Sequence, residues 1–240
     1  MTNGTFSGIN FNNSVNFNNV SGGAYNRFAN LDGSEDRIIY HLLSPNNKSP
    51  EQLRQTHIIW KLLCYPDIDA MLKPLPKYSD VVKLICNDNT TQTNFRIFRS
   101  PHFEDGWLEQ CTLLKVYVDS IIPQNNMIAT VNYGIDIIAH NKTINVTIPD
   151  DDPDNLCVSN VIDVVNGIEV KVSTKSRVTM LTQAVLALLN GADIAGVGPM
   201  QFNMNQSRYN QAQYGIWNNR NFEGMKVVLG ATMSGVSSDC

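Results

Sequence analysis

The residues able to do chemistry are few and scattered. His102, Glu104 and Asp105 lie close enough in the chain to make an acid–base group. Their neighbours Pro101 and Gly106 instead mark a polar loop tip between strands. The four histidines (His41, His57, His102 and His140) have no metal-ligand spacing. His57, beside Trp60 on a helical segment, reads as a packed or surface residue. The five cysteines (Cys64, Cys86, Cys111, Cys157 and Cys240) are odd in number and contain no Cys-x-x-Cys. They read as reduced thiols rather than a disulfide framework or a zinc site. The acidic run Asp150–Asp154 would need Gly at the sixth and Glu at the twelfth position to wrap calcium. It has Asn155 and Val161 there and reads as a solvated loop. Gly191, Gly196 and Gly198 follow a helix, whereas a phosphate-cradling loop must precede one, so they read as a turn. Neither Gly-x-Ser-x-Gly nor His-Glu-x-x-His occurs. The expectation is a non-enzyme with no catalytic residue, no cofactor and no metal.

The elements around these residues are better defined. In Thr174–Met204, Val178, Leu181, Val185, Leu188 and Leu189 recur at i, i+3, i+4 spacing, which predicts an amphipathic helix. Thr174 or Ser176 is its cap and Gly191 its left-handed stop. A turn through Gly196, Gly198 and Pro199 then leads to a strand over Met200–Met204. Ser49-Pro50-Glu51-Gln52 opens a second helix that runs to about Tyr65, where Pro66 stops it. A short helix is expected at 38–43, a short helix or strand at Ser79–Asn87, and extended chain at Phe95–Arg99.

Strict alternation over Thr112–Ile122 puts Leu114, Val116 and Val118 on one face and Lys115, Tyr117 and Asp119 on the other. After the turn Pro123–Asn126, Met127–Ala139 alternates likewise. Met127, Ala129, Val131, Tyr133, Ile135 and Ile137 face one way; Thr130, Asn132, Asp136 and His140 face the other. This predicts an antiparallel hairpin with one buried face. Ile168–Val172 reads as a strand and residues 156–165 are ambiguous. Phe222–Met233 is a last strand, with Val227, Leu229, Ala231 and Met233 opposite Lys226, Val228 and Thr232. The sequence is read as free of internal repeats.

Of the 240 residues 42% are hydrophobic, enough for a core, and only 17% are charged, below the usual quarter. Net charge is −4 with no basic stripe, which argues against a protein that grips nucleic acid through phosphates. No signal peptide and no membrane span are expected. About one residue in three of 1–30 is Asn, interleaved with Phe6, Ile9, Phe11, Val15, Phe17 and Val20. It reads as a tail or an arm that orders on a neighbour. Residues 205–221 form a polar loop with Tyr209, Tyr214 and Trp217. The expected organisation is that arm at 1–30 and one α+β domain at 31–240. The domain is a mostly antiparallel sheet with helices on one face and 205–221 protruding.

Three pieces of this pattern resemble the tail-completion and tail-terminator proteins of tailed bacteriophages. They are the strand Val131–Ala139, the helix Arg177–Leu189 with its Asn-Gly-Ala-Asp-Ile-Ala-Gly-Val-Gly-Pro turn, and the strand at 222–229. The resemblance spans about residues 90–235; the arm, the helical segment 35–87 and the loop 205–221 exceed the compact pattern. It implies a structural virion protein, made in the host cytoplasm. Its place would be a homomeric ring of about six or twelve subunits in the head–tail connector, neck or tail. Neighbouring ring proteins would be its partners, and DNA would pass through the lumen unbound. The acidic balance suits that passage, because DNA affinity grows with each neutralised phosphate. The rival expectation is a small-ligand or carbohydrate-binding module with Trp107, Tyr214 and Trp217 as stacking platforms. A hydrolase with an unrecognised site is a third.

Overall fold

The computed structural model describes residues 31–86, 95–101, 110–124, 128–149, 161–165, 168–202, 213–214 and 221–234. The arm 1–30, the His102 cluster with Trp107, the Asp150–Asp154 run, Cys157, Cys240 and most of 205–221 lie outside them.

Helices α1 (Ser34–Leu43), α2 (Pro50–Cys64) and α3 (Tyr78–Val82) come first. The capping box read from sequence is present: Ser49 Oγ accepts from Gln52 N, and Gln52 returns the bond to Ser49 N. Strands β1 (Ile97–Phe98), β2 (Thr112–Pro123) and β3 (Ile128–His140) follow, then a 3₁₀ turn at Asn141–Thr143. Next come β4 (Asn145–Pro149), β5 (Val161–Val165) and β6 (Ile168–Ser176). Helix α4 (Arg177–Leu189) leads through β7 (Asp193–Ile194) and β8 (Gly198–Gln201) to β9 (Gln213–Tyr214) and β10 (Phe222–Ser234).

The main sheet runs β1-β2-β3-β10-β8-β7, with β9 also on β10. It is antiparallel except where β1 lies parallel to β2. The hairpin β2–β3 and the β3–β10 pair form its centre. β10 is in register with β3 over its whole length, from Phe222 opposite His140 to Ser234 opposite Ile128. The fold is α+β, as expected. Leu114, Val116, Val131, Tyr133, Ile135, Ile137, Val227, Leu229 and Ala231 make one core with α1, α2 and α4. Along α4, Val178, Leu181, Val185, Leu188 and Leu189 are all buried. Ser176, not Thr174, caps that helix by accepting from Thr179 N. Gly191, Gly196 and Gly198 all have positive φ, the left-handed backbone a turn after a helix needs.

Two expectations need correction. The hairpin buries both faces, not one: Leu113, Lys115, Tyr117, Asn132, Asp136 and Ile138 on the second face are also buried. Alternation reports which residues share a face, not whether that face is covered. A second, three-stranded sheet, β4-β6-β5, was also not expected. β4 is five residues long, and its alternation rests on only two apolar residues, Val146 and Ile148, too few to mark a strand by pattern.

The two sheets, α2 and α4 meet at Arg177, which is fully buried. Its Nε donates to Thr143 O at 2.7 Å. Nη1 donates to Leu62 O and Tyr65 O at 2.8 Å, and Nη2 to Asp67 O at 2.6 Å and Pro66 O at 3.2 Å. Thr112 Oγ1 at the start of β2 completes the shell. The last carbonyls of α2 have no partner within the helix, and a cation there also meets the negative end of its dipole. Burial lowers the Arg177 pKa to about 10, which leaves it charged at neutral pH.

Leu188→Ala should cost about 2–5 kcal/mol in a urea melt, because it opens a cavity between α4 and the sheet. A loss below about 0.5 kcal/mol, the range of surface changes, would show that α4 does not pack this way.

Candidate functional site

The second face of the central sheet carries a cluster of ionisable side chains. Cross-strand register lines up Lys115 of β2, Asp136 of β3 and Lys226 of β10 in one row. Beside them, Tyr117 lies opposite Gly134. A Cβ on Gly134 would sit 2.6 Å from Tyr117 Cζ, so the missing side chain is what lets the Tyr117 ring lie flat across β3. From there the Tyr117 hydroxyl donates to the Asp136 carboxylate, 3.1 Å from one oxygen and 3.2 Å from the other.

The register of β2 shifts between Val118 and Ser120, a bulge that turns Asp119 toward β10. Lys226 Nζ donates to Asp119 Oδ1 at 2.5 Å and stands 5.4 Å from the Tyr117 ring centre. Lys115 Nζ donates to Pro101 O at 3.1 Å, and Asn132 Nδ2 to Ser120 Oγ at 2.9 Å. Two lysines and two aspartates make the cluster neutral when all four are ionised.

Burial sets the electrostatics. Desolvation pulls the Lys115 pKa down to about 8 and pushes the Asp136 carboxyl above its ordinary value; Tyr117 and the two lysines oppose the Asp136 shift. The Tyr117 hydroxyl is pushed up to about 12, first by burial and then by the Asp136 charge. The Lys226 pKa is raised: burial would lower it, but hydrogen bonds to Asp119 and Tyr117 together outweigh that. Asp136 is 2% and Tyr117 7% exposed. The Asp136 carboxylate is shut from solvent, and its two oxygens share the single Tyr117 hydroxyl proton. The cluster's chemistry is to lock β2, β3 and β10 to one another.

Strand β2 of the same hairpin becomes exposed toward its end. Along β2 the side chains pass from buried at Thr112–Tyr117, through half-buried at Val118–Ser120, to exposed at Ile121–Pro123. Ile121 is 41% and Ile122 48% exposed. Across from them β3 stays covered: Ala129 and Val131 are fully buried and β10 pairs with β3 as far as Ile128, so the exposure is that of β2 as an outer strand of the sheet.

The residues singled out in the sequence fall elsewhere. His57 packs at 5.3 Å against Trp60, and His41 bonds to Leu188 O at the end of α4. His140 ends β3, where its Nδ1 accepts from Lys142 N and its ring meets Phe222 edge-on. Gly196 O accepts from Arg37. Cys64, Cys86 and Cys111 are not in disulfides, and burial raises the Cys64 pKa to about 11, away from the reactive range. Tyr214 belongs to β9, whose backbone pairs with Met225 and Lys226. Among the described residues, no group of three or more His, Cys, Asp or Glu is placed to hold a metal. No described helix is long and apolar enough to cross a membrane.

Sequence reading missed the role of Arg177, although a signal for it exists. A cation at the first position of a helix opposes the dipole, and this one shares the apolar face of Leu181, Val185 and Leu188. Such a residue must find acceptors elsewhere.

An α+β sheet with helices packed on one face and a polar cluster joining β2, β3 and β10 on the other defines the class. The chain belongs to the YomW family, whose model matches residues 57–229, nearly three quarters of its length. This is a phage-derived family of the Bacillus prophage type, and the chain is accordingly a phage-associated protein. The match runs from within α2 through Leu229 of β10 and so includes Arg177, both partners of the Tyr117–Asp136 bond and Lys226. No curated protein and no solved structure matches the chain.

Gly134→Ala should cost about 1–3 kcal/mol, the range for overpacking a filled site. In a Tyr117→Val background the same change should cost under about 0.5 kcal/mol. An equal cost in both backgrounds would mean that the ring is not what fills the space above Gly134.

Stability should also carry the signature of Asp136. A carboxyl whose pKa is raised in the fold contributes stability that is complete below the unfolded value near 3.8 and is lost as pH rises through the folded value. Urea melts at successive pH values above about 3.5 should therefore show wild type losing stability relative to Asp136→Asn. A relative gain with rising pH would reverse the sign and contradict a desolvated carboxyl.

Proposed function

We propose that this phage-associated chain is a structural subunit of the virion that assembles into a homomeric ring in the head–tail connector, neck or tail. DNA passes through the lumen, and neighbouring ring proteins sit above and below. The observation that carries the reading is the hairpin β2–β3. Its base is fixed by a cluster in which Asp136, Lys115 and Tyr117 are buried and the Lys226–Asp119 pair half-buried, and the outer part of β2 offers Ile121 and Ile122 to a neighbour. Adjacent exposed isoleucines on an outer strand suit a contact repeated between identical subunits.

The family supports the phage setting, and β3, helix α4 with its glycine turn, and β10 are the elements that hold the three pieces on which the tail-completion resemblance rests. The low charge and net −4 suit a wall past which DNA slides. In this reading no residue is catalytic.

Size-exclusion chromatography with light scattering, followed by negative-stain imaging, tests the proposal. The expected result is a closed ring of one mass at micromolar concentration, unchanged by His57→Ala or His102→Ala. A monomer at every concentration, or turnover of any substrate lost specifically in His102→Ala, would overturn it.

A further inference from the structure

Among the described residues, the edge of β2 is unpaired beyond Lys115. β1 pairs with β2 only at Leu114 and Lys115. From Val116 to Pro123 no described strand lies on that edge, and Ile121, Ile122 and Pro123 are exposed in the single chain. Strand edges are guarded by an outward charge, a proline or a bulge; here the bulge lies at Val118–Ser120 and the proline only at the last residue, Pro123. The only charge in this stretch is Asp119, and Lys226 draws it across the sheet instead.

The arm carries a matching pattern. Contrary to a reading free of repeats, Ile9-Asn-Phe-Asn-Asn-Ser14 and Val15-Asn-Phe-Asn-Asn-Val20 repeat a six-residue unit. Across both copies the period is two: Ile9, Phe11, Val15 and Phe17 share one face, interrupted once by Asn13, while Asn10, Asn12, Ser14, Asn16 and Asn18 share the other. No charge falls between Met1 and Asn26. This is the pattern of a strand with one apolar face that lacks a sheet to join.

We propose that residues 9–17 of one copy of this chain add as a strand to the open β2 edge of the next copy. The inference rests on the ring reading and names its contact. The lengths agree. Nine arm residues span about 30 Å and the edge from Val116 to Pro123 about 26 Å, at roughly 3.3 Å per residue. The thirteen residues from Asn18 to Asn30 reach up to about 45 Å, enough to cross to a neighbour. The chemistry agrees as well. The apolar arm face extends the layer of Val118 and Ile121, and the asparagine face extends the Ser120–Asn132 hydrogen bond into a ladder. Each copy has one arm and one edge, so the contact is head-to-tail, and a head-to-tail contact that closes makes a ring.

The test uses two full-length variants. Phe11→Asp with Phe17→Asp spoils the arm and keeps the edge. Ile121→Lys with Ile122→Lys spoils the edge and keeps the arm. Each variant alone should be monomeric by native mass spectrometry with a wild-type circular dichroism spectrum. Mixed at equal concentration they should form a one-to-one dimer and stop there, because one productive arm–edge contact remains. If the edge variant misfolds, Ile122→Lys alone replaces it. Rings of full size from either variant would overturn strand donation while leaving the ring reading in place. Monomers in the mixture would also overturn it, since an arm that folds back on its own edge cannot complement in trans. A one-to-one dimer beside a wild type that makes open chains would uphold strand donation and remove the ring.

Discussion

Everything in this fold depends on a cation with nowhere else to go. Arg177 begins α4 on its buried side, where the helix dipole disfavours a positive charge and solvent cannot reach it. An isolated buried charge costs several kcal/mol, so the guanidinium must be satisfied fully or the helix cannot dock. It is satisfied by main-chain carbonyls of the α2 end, the 3₁₀ turn and the segment after α2, together with Thr112. Those are the places where the helical layer, the small sheet and the main sheet join. A planar fork with five donors fits this demand; an ammonium with three does not. The same residue therefore closes one helix, starts another and sets where β2 begins.

From that start, β2 runs outward through two different environments. Near Thr112 both of its faces are covered, and the Lys115–Asp136–Lys226 row crosses three strands. Buried charges of both signs are costly unless each has a partner, and here the tyrosine bond to Asp136 and the Lys226–Asp119 pair provide them. Such a cluster also fixes register, because a slip of one residue would turn every charge into the apolar core. The outer third of the strand has neither covering layer nor edge partner among the described residues. That outer part of β2 is where the proposed contact between subunits falls.

Much of this was legible in the sequence where the signal is local. The capping box at Ser49, the face of α4 from Val178 to Leu189, the stop at Gly191 and the two faces of the hairpin all follow from spacing within a few residues. The polar faces were assigned correctly to Lys115, Tyr117, Asp136 and Lys226. Their meeting was not legible, because register between distant strands decides that Lys115, Asp136 and Lys226 share a row. Arg177 was hidden for the same reason: its acceptors lie 34 to 115 residues away. The small sheet escaped because β4 is short and its partner β6 runs straight into a helix cap. The histidine cluster at His102 drew notice by composition alone, and it lies outside the described residues.

Amide hydrogen exchange, read separately on the dilute chain and on the assembled species, tests most directly whether the outer part of β2 is the subunit contact. The amides of Val118–Ile122 should exchange at least tenfold more slowly in the assembly. Those of Val131–Ala139, paired on both sides within the chain, should be equally slow in the two states. Equal exchange at Val118–Ile122 in both states would show that assembly leaves this edge bare, and would contradict the account.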